Sequence, residues 1–361
     1  MIKARDYLQK INPYKPGRPI EEVARKLKLR GEIIKLASNE NPLGTSPLAL
    51  QAMRKALRDS SYYPDDNCYY LKEKLAARHG VQPENLFLGN GSVEILPLLT
   101  LAYLGPGTSG VASRSAFIWF KIAVHISAAE IIEAPMKNFT HDLEGMLAAV
   151  RPDTRMIYIA NPNNPTGTMV TRAEVDAFFR RLPDNILVIM DEAYHEYIDD
   201  PSYPDSFKYF REKKNIVILR TFSKIYGLAG VRLGYAVAQP EVIAGLSQLR
   251  ISFNVNRLSQ VAGMAAMDDV RHIRRGKACN EAGKKYLYAA YRRLGLFTLP
   301  TFANFIFVDF AKDSQLVFEA LQRKGIITRV IKEYGFPNAL RITIGTEEQN
   351  ERLIRTLKKV L

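Results

Sequence analysis

The stretch MIYIANPNNPTG, residues 156–167, joins a short apolar run to a cluster of asparagine, proline and glycine. Such a run, bounded by turn residues, reads as a strand that stops at the first proline. The same pattern recurs twice downstream. ILVIM (186–190) runs into Asp191-Glu192-Ala193-Tyr194, and NIVILR (215–220) runs into Thr221-Phe222-Ser223-Lys224. Between the first two, Thr171 to Leu182 carries a helical pattern. Near-continuous apolar strands alternating with helices predict an α/β fold with a mainly parallel central sheet covered on both faces. In open sheets of this kind ligands sit beyond the carboxyl ends of the strands, so Asn164, Asp191, Tyr194 and Lys224 are expected to line one pocket.

The last hundred residues have a different rhythm. NFIFVDF (304–310), a helical pattern from Ser314 to Lys324, ITRVI (327–331), LRITIG (340–345) and an amphipathic helix from about Glu347 predict a smaller α/β domain with its own sheet. The expected division is an N-terminal arm over 1–40 that joins the small domain, a large domain over 41–250 and a small C-terminal domain over 251–361. No internal repeat is visible.

Composition removes several function classes. The two cysteines, Cys68 and Cys279, lie far apart without CxxC spacing, which argues against a disulfide framework or a thiolate zinc site, and no metal is expected. The N-terminal residues mix charged and polar groups and lack the apolar stretch of a secretory signal. The longest apolar run, Ile95 to Leu104, falls short of the ~20 residues that cross a bilayer. A cytoplasmic protein with no membrane partner is expected. The formal charge of +14 raises the question of nucleic acid, but the basic residues are dispersed and their clusters lack stacking aromatics, so no nucleic-acid partner is expected.

A lysine becomes a carbonyl-trapping nucleophile where burial or a neighbouring cation lowers its pKa. Lys224 follows a buried strand and precedes a glycine-containing loop, although a lysine after a strand is more often a surface residue. Its neighbours decide the matter. A pyridoxal phosphate site needs such an amine, a carboxylate at the pyridine nitrogen, donors to the ring oxygen and a phosphate cradle. Asp191 suits the carboxylate, with a helix cap as its other reading. Asn164 and Tyr194 suit the ring-oxygen donors, with a turn before Pro165 as the other reading of Asn164. Ser223 and Arg232 suit a phosphate clamp, and Gly89 to Glu94, opening an apolar helical run, either adds backbone N–H groups or is a plain turn.

Asn39-Glu40-Asn41-Pro42, Tyr63-Pro64-Asp65, NPNNPTG (161–167), DEAY (191–194), RTFSK (220–224), GLAGVRLGY (227–235) and LRITIGT (340–346) stand in one order across the chain. Together they resemble the fold-type I aminotransferases of class I/II and, among these, the histidinol-phosphate aminotransferase family. The resemblance implies pyridoxal 5'-phosphate as cofactor, with Lys224 forming the aldimine and shuttling the substrate proton. Asp191 would pair with the pyridine nitrogen, Asn164 and Tyr194 with the ring oxygen, and Phe117 would stack on the ring. Ser92, Val93, Ser223 and Arg232 would hold the phosphate. Val93 departs from the acidic residue usual at its position, and Phe117 lacks the usual nearby proline.

In the substrate pocket the resemblance implies Asn39, Arg341 for the α-carboxylate of glutamate, and Arg329 with Tyr14 for a substrate phosphate. Tyr63 would reach in from a second subunit of a homodimer. The alternation of Leu340, Ile342 and Ile344 leaves Arg341 on the opposite strand face; a surface arginine and a simple N-terminal anchor are the other readings of Arg341 and Tyr14. The implied reaction is transamination between L-histidinol phosphate and 2-oxoglutarate in histidine biosynthesis. The alternatives are an aromatic or broad-specificity aminotransferase, or a related phospho-amino-acid decarboxylase.

Overall fold

In the computed structural model, which describes all residues except Met1, Ala4, 12–18, Leu29 and Arg30, the three expected strand tips lie side by side. Seven strands form the main sheet: β1 (Leu86–Gly89), β2 (Ser109–Ser113), β3 (Glu130–Ala134), β4 (Thr154–Ala160), β5 (Leu187–Asp191), β6 (Ile216–Thr221) and β7 (Gly234–Val237). Their order is β1-β7-β6-β5-β4-β2-β3. Strands β4, β5 and β6 are parallel neighbours, with Ala160 opposite Asp191 and Asp191 opposite Leu219. The segments that leave them therefore emerge at one sheet edge. β7 is the exception to parallel pairing, running antiparallel to both β1 and β6.

Alternation explains why these runs are apolar throughout. Ile157, Ile159, Val188, Met190 and Ile218 enter one core, while Met156, Tyr158, Leu187, Ile189 and Val217 enter another on the opposite face. Both faces are covered, so neither set can be polar without a partner. The expected helix after β4 forms over Arg172–Arg181. Thr171 accepts from the Glu174 N–H, and Glu174 returns a bond to the Thr171 N–H at 2.7 Å.

The C-terminal sheet contains β8 (Phe297–Thr298), β9 (Phe305–Asp309), β10 (Arg329–Val330) and β11 (Ala339–Thr343), in the antiparallel order β8-β9-β11-β10. The run 327–331, expected as one strand, is divided. Ile326–Ile327 pairs in parallel with Ile34–Lys35, whereas Arg329–Val330 pairs with β11. The chain changes partner at Thr328, passing from a two-stranded pair with the N-terminal segment to the four-stranded sheet. The final helix, Glu347–Val360, starts at a Thr346 capping box and helps to cover Ile306, Leu340 and Ile342. Among the described residues no helix is long and apolar enough to cross a membrane.

A buried ion pair locks β6 to the segment leaving β5. Arg220 donates to Glu192 Oε2 through Nε at 2.9 Å and Nη2 at 2.7 Å, and Ser206 donates to Glu192 Oε1 at 2.5 Å. The pair is almost wholly out of water, so removing one partner strands the other charge. Arg220→Met is expected to lower unfolding stability by about 3 kcal/mol. A urea midpoint equal to that of the parent would contradict this.

Candidate active site

Each of the three parallel strands delivers one polar group to a cavity of about 250 Å³. After β4, Asn161 exchanges hydrogen bonds with Val170, and Asn163 donates to Thr166 Oγ1 at 2.9 Å. This fastened turn presents Asn164 to the cavity, where its Oδ1 accepts from Arg341 Nη1 at 2.6 Å. Asn164 is thus both a turn residue and a cavity wall.

Asp191 ends β5 and is buried. Its Oδ2 accepts from the Tyr158 hydroxyl at 2.7 Å and its Oδ1 from the Ala193 N–H at 3.1 Å. Burial raises its carboxyl to about 6 against the lowering effect of those bonds and of Lys224. Lys224, beyond β6, donates to the Ser38 carbonyl at 3.2 Å. Burial, with help from Arg341 and Arg232, lowers its ammonium to about 8, while Glu40 and Asp191 oppose the shift. A half-buried amine that is easily deprotonated therefore shares a cavity with a buried acid.

Tyr194 lies beneath the amine, its ring centroid 5.6 Å from Lys224 Nζ, and its hydroxyl accepts from Asn39 Nδ2 at 2.8 Å. Asn39 is itself fixed by Thr343 of β11 through its N–H and its Oδ1. The C-terminal sheet and the N-terminal segment thereby meet at the cavity.

At the other end Arg232, in the left-handed conformation, lies against the first turn of the helix Ser92–Tyr103. Its Nη1 is 3.4 Å from Ser223 Oγ and its Nη2 is 3.4 Å from the Asn90 carbonyl. A side chain at Gly91 would place Cβ 2.3 Å from Arg232 Nη2, at a positive φ of 78°, so glycine is required there for the guanidinium to reach the helix start. Ser92 and Val93 open that helix and Phe117 precedes the helix Ile118–Ile126; all three line the cavity. Helix N–H groups, a hydroxyl and a guanidinium together form a cradle for a dianion.

Arg341 is buried, donating to Asn164 Oδ1 and to the Ala37 carbonyl, and its Nε has no partner among the described residues. Leu340, Ile342 and Ile344 do pack on the opposite side, in the core of the C-terminal sheet. Arg329 also lines the cavity and forms an ion pair with Glu333. Tyr63 is not brought in by its own chain: it is 79% exposed and stacks on Phe253. Tyr14 lies outside the described residues.

Tyr158, Ser38, Ala37 and Thr221 line the cavity without having been expected there. Tyr158 carried a signal, since a phenol within an aliphatic buried strand needs a polar partner. The carbonyls of Ala37 and Ser38 carry none, because any residue supplies a carbonyl.

Residues 31–357 match the model of the family described as aminotransferase class I and II. The chain is 49% identical over 360 residues to the histidinol-phosphate aminotransferase of Moorella thermoacetica, covering 99% of this chain and 93% of that protein. It is 43% identical over 357 residues to the protein of the same name from Caldicellulosiruptor saccharolyticus, covering 99% of each. Among solved structures, histidinol-phosphate aminotransferase from Sinorhizobium meliloti in complex with pyridoxal 5'-phosphate superposes with a TM-score of 0.91 at 27% identity, covering 100% of this chain and 98% of that one. With cavity, fold and sequence in agreement over nearly the whole length, the chain belongs to the class I and II aminotransferase family.

Proposed function

We propose that the chain transfers an amino group between L-histidinol phosphate and 2-oxoglutarate, giving imidazole acetol phosphate and L-glutamate, with pyridoxal 5'-phosphate held in the cavity. The observation that carries the reading is that Lys224, half-buried, and Asp191, buried, face one cavity from two adjacent strand tips, between a cationic cradle at one end and Arg341 at the other. The residues fit the cofactor. The Gly91 position leaves room for Arg232 at the helix start, and the buried Nε of Arg341 is a donor without an acceptor among the described residues.

When bound, the cofactor supplies an electron-withdrawing ring that spreads the charge left at the substrate Cα. Asp191 keeps the ring nitrogen protonated by holding a negative charge beside it. Asn164, whose Oδ1 is engaged by Arg341, has its amide NH2 to donate to the ring oxygen, and Tyr194, accepting from Asn39, is oriented to donate to the same atom. Ser92, Val93, Ser223 and Arg232 hold the phosphate, and Phe117 covers a ring face. Lys224 Nζ anchors the cofactor aldehyde and moves the proton from substrate Cα. Arg341 binds the α-carboxylate of glutamate. Arg329, Tyr14 and Tyr63 of the partner subunit receive the phosphate of histidinol phosphate.

The exposed Tyr62, Tyr63, Tyr70 and Ile251 support a homodimer, since large apolar side chains exposed in numbers mark association surfaces. Division into an arm over 1–40, a cofactor domain over 41–250 and a small domain over 251–361 is supported by the core of the C-terminal sheet, which Ile34 and Leu36 join, and by the pairing of Ile34–Lys35 with Ile326–Ile327. A place among cytoplasmic enzymes of histidine biosynthesis follows from the proposed substrates.

Steady-state glutamate formation from 2-oxoglutarate with histidinol phosphate or phenylalanine as donor tests the reading. Histidinol phosphate is expected to be favoured in kcat/KM by roughly a hundredfold, because charge-assisted hydrogen bonds to its phosphate are worth about 1.5–3 kcal/mol each. Equal or better activity on phenylalanine would move the assignment to an aromatic or broad-specificity aminotransferase. Release of carbon dioxide from a phospho-amino acid without glutamate formation would move it to a decarboxylase.

A further inference from the structure

Tyr158 stands in β4 two residues before its end, on the face shared by Met156 and Ala160. It is fully buried in an otherwise apolar run, and its ring stacks on Phe120 with centroids 4.9 Å apart. Phenylalanine would fill that space as well. The hydroxyl is the part that packing leaves unexplained, and at 2.7 Å it donates to Asp191 Oδ2 at the cavity wall. With the Ala193 N–H on Oδ1, each oxygen of this carboxylate accepts one bond from the protein.

We infer that Tyr158 is a positioning residue that keeps Asp191 ionised and aimed at the ring nitrogen of the bound cofactor. The inference rests on the cofactor assignment above and deepens it. Burial alone would drive a proton onto Asp191, and the hydrogen bonds from Tyr158 and Ala193 are the chief opposing influences. Of the other ionisable groups around it, Lys224 favours the charged form and Glu192 disfavours it. Tyr203 also senses the Asp191 charge, while Tyr194 and Tyr334 face Tyr158. Burial and the adjacent Asp191 push the Tyr158 phenol well above its usual range, so it remains a donor at every working pH. Ala193 gives a backbone bond that every residue but proline would keep. Tyr158 is therefore the side chain through which Asp191 can be tuned.

The test is equilibrium binding of pyridoxal phosphate to the full-length apoprotein, followed by cofactor absorbance from pH 5.5 to 9. It is run in a Lys224→Ala background so that the amine does not titrate. The cofactor's own ionisations are common to all arms. Adding Tyr158→Phe is expected to move the acid limb of affinity up by about one pH unit, so that binding weakens about threefold at pH 6.5, approaches a roughly tenfold loss at pH 5.5 and is nearly unchanged at pH 8.5. Phe120→Leu, which removes the stacking partner but keeps the hydroxyl, is expected to leave the limb in place. An unmoved limb in Tyr158→Phe, or an equal movement in Phe120→Leu, overturns the inference while leaving the cofactor assignment standing. A parent apoprotein, with Lys224 in place, that binds no pyridoxal phosphate at any pH overturns the cofactor assignment itself, and the inference with it.

Discussion

Lys224→Ala is expected to lower the turnover of amino transfer by at least about four orders of magnitude without unfolding the chain. Proton transfer by a positioned base contributes about 10²–10⁴, and Lys224 also supplies the nucleophilic amine. The loss in the variant therefore combines two effects. Deleting the side chain removes one hydrogen bond, to the Ser38 carbonyl, and the contact with the Tyr194 ring, but no backbone pairing, so far-ultraviolet circular dichroism should match the parent. Small primary amines added to the variant should restore part of the proton transfer, an outcome that a merely structural lysine would not give. The pH dependence has a definite sign. Burial lowers the ammonium to about 8, and only the neutral amine attacks a carbonyl. Cofactor uptake by the parent apoprotein should therefore quicken about tenfold per pH unit on the approach to pH 8 and level off above it. Uptake that slowed with rising pH across this range would contradict a nucleophilic role.

Arg341→Gln is expected to lower kcat/KM for glutamate by about a hundredfold, the equivalent of about 3 kcal/mol, chiefly through KM. Two of its nitrogens hold Asn164 and the Ala37 carbonyl, and the third is a buried donor without an acceptor among the described residues. A substrate carboxylate supplies what that geometry lacks. Glutamine keeps a polar head but neither the charge nor the planar fork, so its loss is largely electrostatic. Affinity for pyridoxal phosphate should stay within about threefold, because the cradle of Ser223 and Arg232 lies at the other end of the cavity. An unchanged KM for glutamate would show that its carboxylate binds elsewhere.

Much of this site was legible before any coordinates because strand tips announce themselves. Each of MIYIA, ILVIM and NIVILR ends at residues that an apolar strand cannot contain, and parallel pairing places those ends together. Arg341 was legible for a related reason, since alternation set it opposite Leu340 and Ile342. The antiparallel β7 was not, because GYAV is as apolar as a parallel strand and direction leaves no mark on composition. The split of 327–331 was equally hidden: it depends on Ile326–Ile327 pairing with Ile34–Lys35, nearly three hundred residues distant in sequence. Tyr158 was half legible: a phenol in an apolar strand asks for a polar partner, and only the fold shows that the partner is Asp191. Tyr63 is exposed within its own chain, and its expected role depends on a second copy.

Borohydride reduction of the protein loaded with pyridoxal phosphate, followed by digestion and peptide mass analysis, examines the anchoring amine most directly. The expected result is one phosphopyridoxyl group per chain, carried by the peptide that contains Lys224. Label on a different lysine, or on none, would contradict the assignment.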